Sequence, residues 1–353
     1  MRPLVVSVVG ALLLGCGGAA RDLRPTIPVS PPSQLCRDES LGAKDLCVPS
    51  LRIEKMLRNE PFVVLMVRDT PHGVGGSKVL TLRFPKENLI IKAKWKEAKP
   101  GGEGLDNDPR KEIAAWEMQK VLFTPDEYVV PPTVGRCISV EQYFSEVSTR
   151  RRRPTFDGAG GCVFGVLSYW LQNVKELEGF SRERFETDSA YRQRVVTLNV
   201  FAYLIDHRDA RRSNFLIAKD PRDPRMFAID NGLAFSGLRN PVMYFVHNWS
   251  ELLVPALSRS LLERLRRITR ADLDRLAVVS QFEVRNGQLV PVAHSAPLLP
   301  DSGVRIHDDT IQLGLTTNEI DGIERRLRQV LEKVDTRQVA VFEDVPGRRM
   351  VKR

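Results

Sequence analysis

Three oxygen-bearing side chains stand at suggestive spacing in the middle of the chain. Asp209 is followed five residues later by Asn214, and Asp230 follows two short apolar runs, within Asp230-Asn231-Gly232. One carboxylate can orient an attacking hydroxyl and take its proton. A second carboxylate and an amide oxygen suit a hard divalent cation that bridges phosphates. Together they fit phosphoryl transfer, in which positioning and charge neutralisation supply most of the catalysis. The bland alternative is an acidic hairpin with Asp at ordinary turn positions.

The elements that must position these groups are legible around them. Phe215-Leu216-Ile217 and Met226-Phe227-Ala228-Ile229 flank a connection rich in Pro and Asp, which predicts a small hairpin. Asp188 to Ile205 has apolar residues at helical spacing and would deliver the chain into Asp209. Upstream, Pro61 to Val67, Lys78 to Phe84 and Leu89 to Trp95 read as three strands, with a glycine turn from His72 to Ser77. Backbone N–H groups at Gly73, Gly75 and Gly76 can lie over phosphates in such a turn. Lys92 and Lys94 share one face of the third strand by parity. Asp108 and Pro109 open a predicted helix to Phe123, on which Glu112 and Glu117 are candidate partners for a strand lysine. A strand is expected over Tyr128 to Val134. From Val163 the pattern is mainly helical: Phe164 to Val174, Ser258 to Ile268, Asp272 to Val279, and Glu319 to Val334 behind the capping box Thr316-x-x-Glu319.

His207-Arg208-Asp209, four residues, Asn214, and then Asp230-Asn231-Gly232 resemble the catalytic loop and metal motif of the kinase-like superfamily. The Ile-Asp-Asn-Gly-Leu-Ala-Phe ending is most similar to the atypical branches: type II phosphatidylinositol 4-kinases, HipA-type kinases and Golgi secretory-pathway kinases. Ile-Lys-Ala-Lys resembles the lysine strand of the lipid kinases and points to Lys92. Glu112 before Ile-Ala-Ala-Trp resembles the glutamate helix of the Golgi family. The resemblance spans roughly residues 60 to 280. It implies an α+β, two-lobed fold with a β-rich N-lobe over 51–138 and a helical C-lobe over 139–340, the lobes meeting near Val134 to Arg153. It further implies ATP and Mg²⁺ or Mn²⁺, with Asp209 as base, Asn214 and Asp230 on the metal, and Lys92 or Lys94 clamped by Glu112. It implies no long activation segment after Phe235. One departure stands out: the atypical branches place His two residues after the Asp, where this chain has Arg211. A second reading is a kinase-fold protein that binds nucleotide without turnover, and a third is a structural envelope lipoprotein with a coincidental motif.

The chain of 353 residues has a formal charge of +9, part of it local to Arg150–Arg153 and to Arg264, Arg266, Arg267 and Arg270. ATP, anionic lipid headgroups and acidic glycans would each suit this excess, and a nucleic-acid partner is not expected. Leu4 to Leu14 is an apolar segment too short to span a bilayer. It ends in Leu13-Leu14-Gly15-Cys16, which resembles the bacterial lipobox and implies cleavage after residue 15 and lipidation at Cys16. Gly17 in place of Asp implies an outer-membrane destination. Four of the 23 prolines fall between Pro25 and Pro32, so 16–50 reads as a tether, and 341–353 as a basic tail. Cys36, Cys47, Cys137 and Cys162 remain; proximity in sequence favours Cys36–Cys47 and Cys137–Cys162 as disulfides over a zinc site.

Overall fold

The computed structural model describes residues 48–71, 76–102, 108–149, 152–156, 161–209, 211–221, 223–235 and 248–344. The signal, Cys16, the tether before Val48, the Cys36–Cys47 pair, Gly73, Gly75 and the stretch just after Phe235 all lie outside these residues. Helix α1, Ser50–Asn59, is the first described element and begins on the last residue of the span expected as a tether.

Strands β1 (Val63–Asp69), β2 (Lys78–Phe84) and β3 (Leu89–Glu97) form an antiparallel meander where three strands were expected. Helix α2, Pro109–Leu122, follows, with Pro in its first turn. Strand β4, Thr133–Ser139, starts later than the Tyr128 to Val134 expectation. Pro131 and Pro132 have no N–H to give a ladder, so pairing begins at Thr133. The short helix α3, Val140–Gln142, continues as one π-helical turn over Tyr143–Val147.

The next element corrects the helix expected over Phe164 to Val174: Cys162–Tyr169 is strand β5, paired antiparallel with both β3 and β4. All but Ser168 of its residues are buried, some against α2 and Phe282 and others against α1 and β2. A strand buried on both faces has no alternation, and its apolar run mimics helical spacing. The sheet order is β1-β2-β3-β5-β4, so β5 belongs with the expected N-lobe strands and the chain leaves this sheet only after Tyr169, not near Val134 to Arg153. Cys137 and Cys162 sit at disulfide distance across β4 and β5, with Cα atoms 5.6 Å apart.

Strand β6 (Val174–Glu176) pairs with the predicted hairpin, β7 (Phe215–Ala218) and β8 (Met226–Ala228). Between them run α4 (Arg182–Thr187) and α5 (Ser189–Leu204), buried along most of its C-terminal part, whose N-terminus is capped by Asp188. Strand β9 (Ala256–Ser258) leads into α6 (Arg259–Arg267) and α7 (Arg270–Asp274). An antiparallel sheet absent from the sequence expectation comes next: β10 (Ser280–Arg285), β11 (Gln288–Pro291), β12 (Val304–His307) and β13 (Thr310–Leu313). Helix α8, Thr317–Asp335, begins with the expected capping box, and β14 (Ala340–Phe342) pairs in parallel with β9, so ordered structure reaches into the expected tail. The fold is α+β, with four sheets among the described residues. None of the described helices is long and apolar enough to cross a membrane.

The arginines of α6 and α7 are largely committed to carboxylates. Arg264 meets Glu127 at 2.8 Å, Arg266 meets Asp335 at 2.5 Å, and Arg270 meets Asp274 and Asp321 at 2.7 and 2.6 Å. These ion pairs join α6 and α7 to neighbouring segments, while Arg267 stays largely exposed.

Candidate active site

Strand β3 alternates Ile91, Ala93 and Trp95, all buried, with Lys92, Lys94 and Lys96 on its other face. The three lysines differ in depth: Lys92 is exposed, Lys94 half-buried and Lys96 buried. Lys96 Nζ lies 3.0 Å from Glu112 Oε1 and 2.9 Å from Asp230 Oδ1. Lys94 Nζ lies 3.3 Å from the same Asp230 oxygen. The expectation that Glu112 clamps Lys92 is thus corrected to Lys96, one residue beyond the expected strand end. The signal was present: the period-2 alternation continues through Lys96, and only the resemblance drew attention to Lys92.

Of the two candidate glutamates, Glu112 is the one that meets a β3 lysine. Its Oε2 accepts the Asn231 backbone N–H at 2.9 Å, so one carboxylate ties β3, α2 and the Asp-Asn-Gly segment together. Glu117 instead faces Arg58 and Lys120, at 3.1 and 2.9 Å. Gly232 leaves room for the lysine, since a Cβ there would lie 3.0 Å from Lys96 Nζ. Asp230 adopts the left-handed region at φ 59°, which Asp tolerates better than most residues and which starts a 3₁₀ turn over Asn231–Leu233.

Burial pushes the Asp230 carboxyl up, but Lys94 and Lys96 outweigh it and hold the group well below the ordinary carboxylate range. Burial likewise opposes the Lys96 charge, and Glu112 and Asp230 outweigh it, so its pKa is raised. A depressed acid stabilises the fold above its unfolded pKa of about 3.9, and a raised lysine below about 10.4. Between those limits the cluster keeps its full contribution.

The second half of the site is the loop after α5. Asn214 Nδ2 donates to Asp209 Oδ2 at 2.9 Å and to the Asp209 carbonyl at 2.8 Å. Arg211 Nη2 donates to the same Oδ2 at 2.7 Å, and this bond raises the Arg211 pKa. Arg208, the middle residue of His207-Arg208-Asp209, turns away to Asp206 at 2.9 Å. The loop and the Asp230 segment are tied by two bonds to Ile229: its N–H donates to the Asn214 carbonyl at 2.9 Å, and His207 Nε2 donates to its carbonyl at 3.2 Å. His207 is therefore a positioning group. Gly76 sits in the β1–β2 connection at φ 72°, a conformation that favours glycine.

Burial lowers the His207 pKa, so the folded ring resists protonation more than a free imidazole does. The unfolded chain takes up a proton near pH 6.5 that the folded chain refuses, so stability is present above that pH and is lost as pH falls below it. We expect the urea midpoint to fall between pH 7 and pH 5, with a slope of up to about 1.4 kcal/mol per pH unit from this group. A His207→Gln variant should be less stable at pH 7 and show a flatter acid limb; an unchanged limb would assign the titration elsewhere.

The donor set bears on a metal. Asp230 and Asn214 offer a carboxylate and an amide oxygen, both hard ligands that suit Mg²⁺ or Mn²⁺ rather than zinc. Among the described residues no group of three or more His, Cys, Asp or Glu forms a cage for an ion. Two protein ligands fit a cation that takes its other ligands from phosphate oxygens and water. Compared with known proteins, the chain matches no family model and no curated protein.

Proposed function

We propose that the chain is a two-lobed, kinase-like phosphotransferase that moves the γ-phosphoryl group of ATP to a hydroxyl. The observation that carries this reading is Lys96 Nζ within 3.0 Å of both Glu112 and Asp230, residues contributed by three separate elements. A lysine held by a helix glutamate beside an Asp-x-Gly carboxylate is the arrangement that orients nucleotide phosphates.

In this reading Lys96, fixed by Glu112, holds the α- and β-phosphates, and Lys94 adds a second positive charge beside them. Asp230 and Asn214 would hold a divalent cation, which would supply charge neutralisation on the phosphates. Asp209 receives the bonds of Asn214 and Arg211 on Oδ2 and presents Oδ1 to the acceptor hydroxyl. It orients that hydroxyl and takes its proton as the oxygen attacks phosphorus and the bond to the ADP oxygen breaks. Asp230 and the lysines would keep the transferring group in line, and Arg211 would help to balance its charge. The lipobox-like motif at Cys16 supports a lipid-anchored envelope location, and the acceptor is then to be sought among protein, lipid and glycan hydroxyls of that compartment.

A second reading is favoured by Arg211. The Arg211 guanidinium, 2.7 Å from Asp209 Oδ2, occupies one of the two oxygens that could take the acceptor's proton. That suits a protein which binds metal and nucleotide without turnover, as an envelope adaptor. One experiment separates the two: ATP hydrolysis and autophosphorylation by the chain from residue 21 onward, with Mg²⁺ or Mn²⁺. For a phosphotransferase, Asp209→Asn should lower turnover by about 10²–10⁴-fold with nucleotide affinity retained. An inert wild type that still shows a metal-dependent thermal shift with ATP would support the adaptor. No turnover and no shift would sink both readings.

A further inference from the structure

Glu112 sits two residues after Arg110 on α2, so whatever holds Arg110 sets how far Glu112 reaches toward Lys96. Arg110 is buried, and its guanidinium grips Glu319 with two prongs, Nη1 to Oε2 at 2.6 Å and Nη2 to Oε1 at 3.1 Å, while Nη2 also lies 3.1 Å from Asp108 Oδ2. Nη1 also donates to the Gly314 carbonyl at 3.1 Å. Lys111 Nζ adds a contact of 3.5 Å to Glu319. Burial pushes the Glu319 carboxyl up, and Arg110 outweighs it, leaving the group below its ordinary range.

Glu319 has a second duty as the capping residue of α8, accepting the Thr316 backbone N–H at 2.9 Å. The carboxylate that starts α8 therefore also receives the start of α2. By contrast the N-cap of α2, Asp108, makes no side-chain capping bond to its own helix. The route to Glu319 is built for an arginine. A Cβ on Gly303 would lie 2.2 Å from Arg110 Nε, and Gly314 donates its N–H to the Gly303 carbonyl at 3.0 Å. Arg305, fully buried, holds this region from the far side, bonding the carbonyls of Leu299, Ala277 and Leu315. At its other end α2 is tied to α1, through Lys120 to Glu54 at 2.8 Å and Glu117 to Arg58 at 3.1 Å, and to the segment that follows it, through Gln119, which bonds the backbone of Val129 and Val130.

We infer that Arg110 and Glu319 are positioning residues: they pin α2 so that Glu112 stays engaged with Lys96, which makes the C-terminal sheet and α8 part of the phosphate clamp. The inference rests on the reading of Lys96 and Glu112 as that clamp. It extends the site beyond residue 280, where the kinase resemblance ends. A helix carrying the clamp glutamate is thereby held inward by this chain's own C-terminal elements and needs no second molecule to bring it there.

Two measurements on the purified chain test it. The first is hydrogen exchange by mass spectrometry over peptides containing the Asn231 amide, which donates to Glu112 Oε2. Arg110→Met and Glu319→Gln should each speed that exchange by roughly tenfold or more, as a local opening, while the amides of the α8 interior keep their protection. Glu319→Gln retains the acceptor for the Thr316 N–H, so it decides the matter should Arg110→Met fail to fold. Unchanged Asn231 protection in a folded variant overturns the inference. The second is the affinity for ATP with Mg²⁺. Arg110→Met should weaken it about tenfold in the natural chain and add almost nothing to Glu112→Gln, because both act through one contact. Full additivity would overturn a role through Glu112. If the natural chain binds no nucleotide, the phosphotransferase reading falls, while the exchange experiment still decides whether the pin holds α2.

Discussion

Lys96→Met is expected to weaken ATP binding at least about 30-fold, because a charge-assisted bond to phosphate contributes about 2 kcal/mol. Lys92→Met, four residues earlier on the same strand face, should leave the affinity within about twofold, as an exposed substitution remote from the cluster does. The two together separate a specific phosphate lysine from general positive charge on the strand. Lys96→Met should also destabilise the fold by about 3 kcal/mol, the low end for breaking a buried ion pair, since Lys94 still faces Asp230 and the Asn231 N–H still serves Glu112. Turnover, where the wild type shows it, should fall further than affinity does, by about 10³-fold, because the lost charge acts most strongly on the transition state. Isothermal titration with ATP–Mg²⁺, urea unfolding and an ATPase assay on the same three proteins give all of these numbers. Equal effects at Lys92 and Lys96 would refute the assignment of the phosphate lysine.

Asp230→Ala should produce the second large effect, with a distinctive sign. In the wild type the Asp230 carboxylate occupies both Lys94 and Lys96, at 3.3 and 2.9 Å, and is the one carboxylate proposed to hold the cation. Its removal should abolish the metal dependence of nucleotide binding. It should also release two ammonium groups toward the phosphates, so that ATP without metal binds more tightly to the variant than to the wild type. A merely structural role for Asp230 gives no such reversal. Without ligand, the variant should be less stable by roughly 2–4 kcal/mol, since two neighbouring lysines lose their shared counter-charge. For the wild type, saturation with ATP and Mg²⁺ at a hundred times Kd should raise stability by about 2.7 kcal/mol. A thermal-shift matrix of both proteins with ATP, Mg²⁺ and the pair reads each arm. Equal shifts with and without metal in the wild type would remove Asp230 from the role of metal ligand.

Local chemistry carries much of what is legible here. The hairpin around Asp209, Asn214 and Asp230 could be read because each strand is a short apolar run between turn residues, and it folds as expected. The capping box at Thr316 and Glu319 was equally plain, because a cap is a contact three residues long. The central strand β5 was misread as a helix for the opposite reason. Val163 to Leu167 is covered on both faces by elements distant in sequence, so its own pattern does not say which period it follows. The sheet from β10 to β13 escaped notice because its strands are short and the signals of a hairpin compete with loop composition.

The site divides along the same line. By itself the sequence offered the candidates for that chemistry: the spacing of Asp209 and Asn214, Asp230 before Asn231-Gly232, and Lys92 and Lys94 on one strand face. It also determined the helix that carries Glu112, through Asp108, Pro109 and the apolar face behind them. Which lysine meets Glu112 was decided by tertiary structure alone. Parity makes Lys92, Lys94 and Lys96 equivalent along the strand, and only the depth at which β3 passes beneath α2 and the Asp-Asn-Gly turn distinguishes them. The grip of Glu319 on Arg110 was likewise invisible in the chain. It joins residues 209 positions apart, and a pair so distant leaves no mark on local periodicity, because neither partner's neighbours need to know of the other.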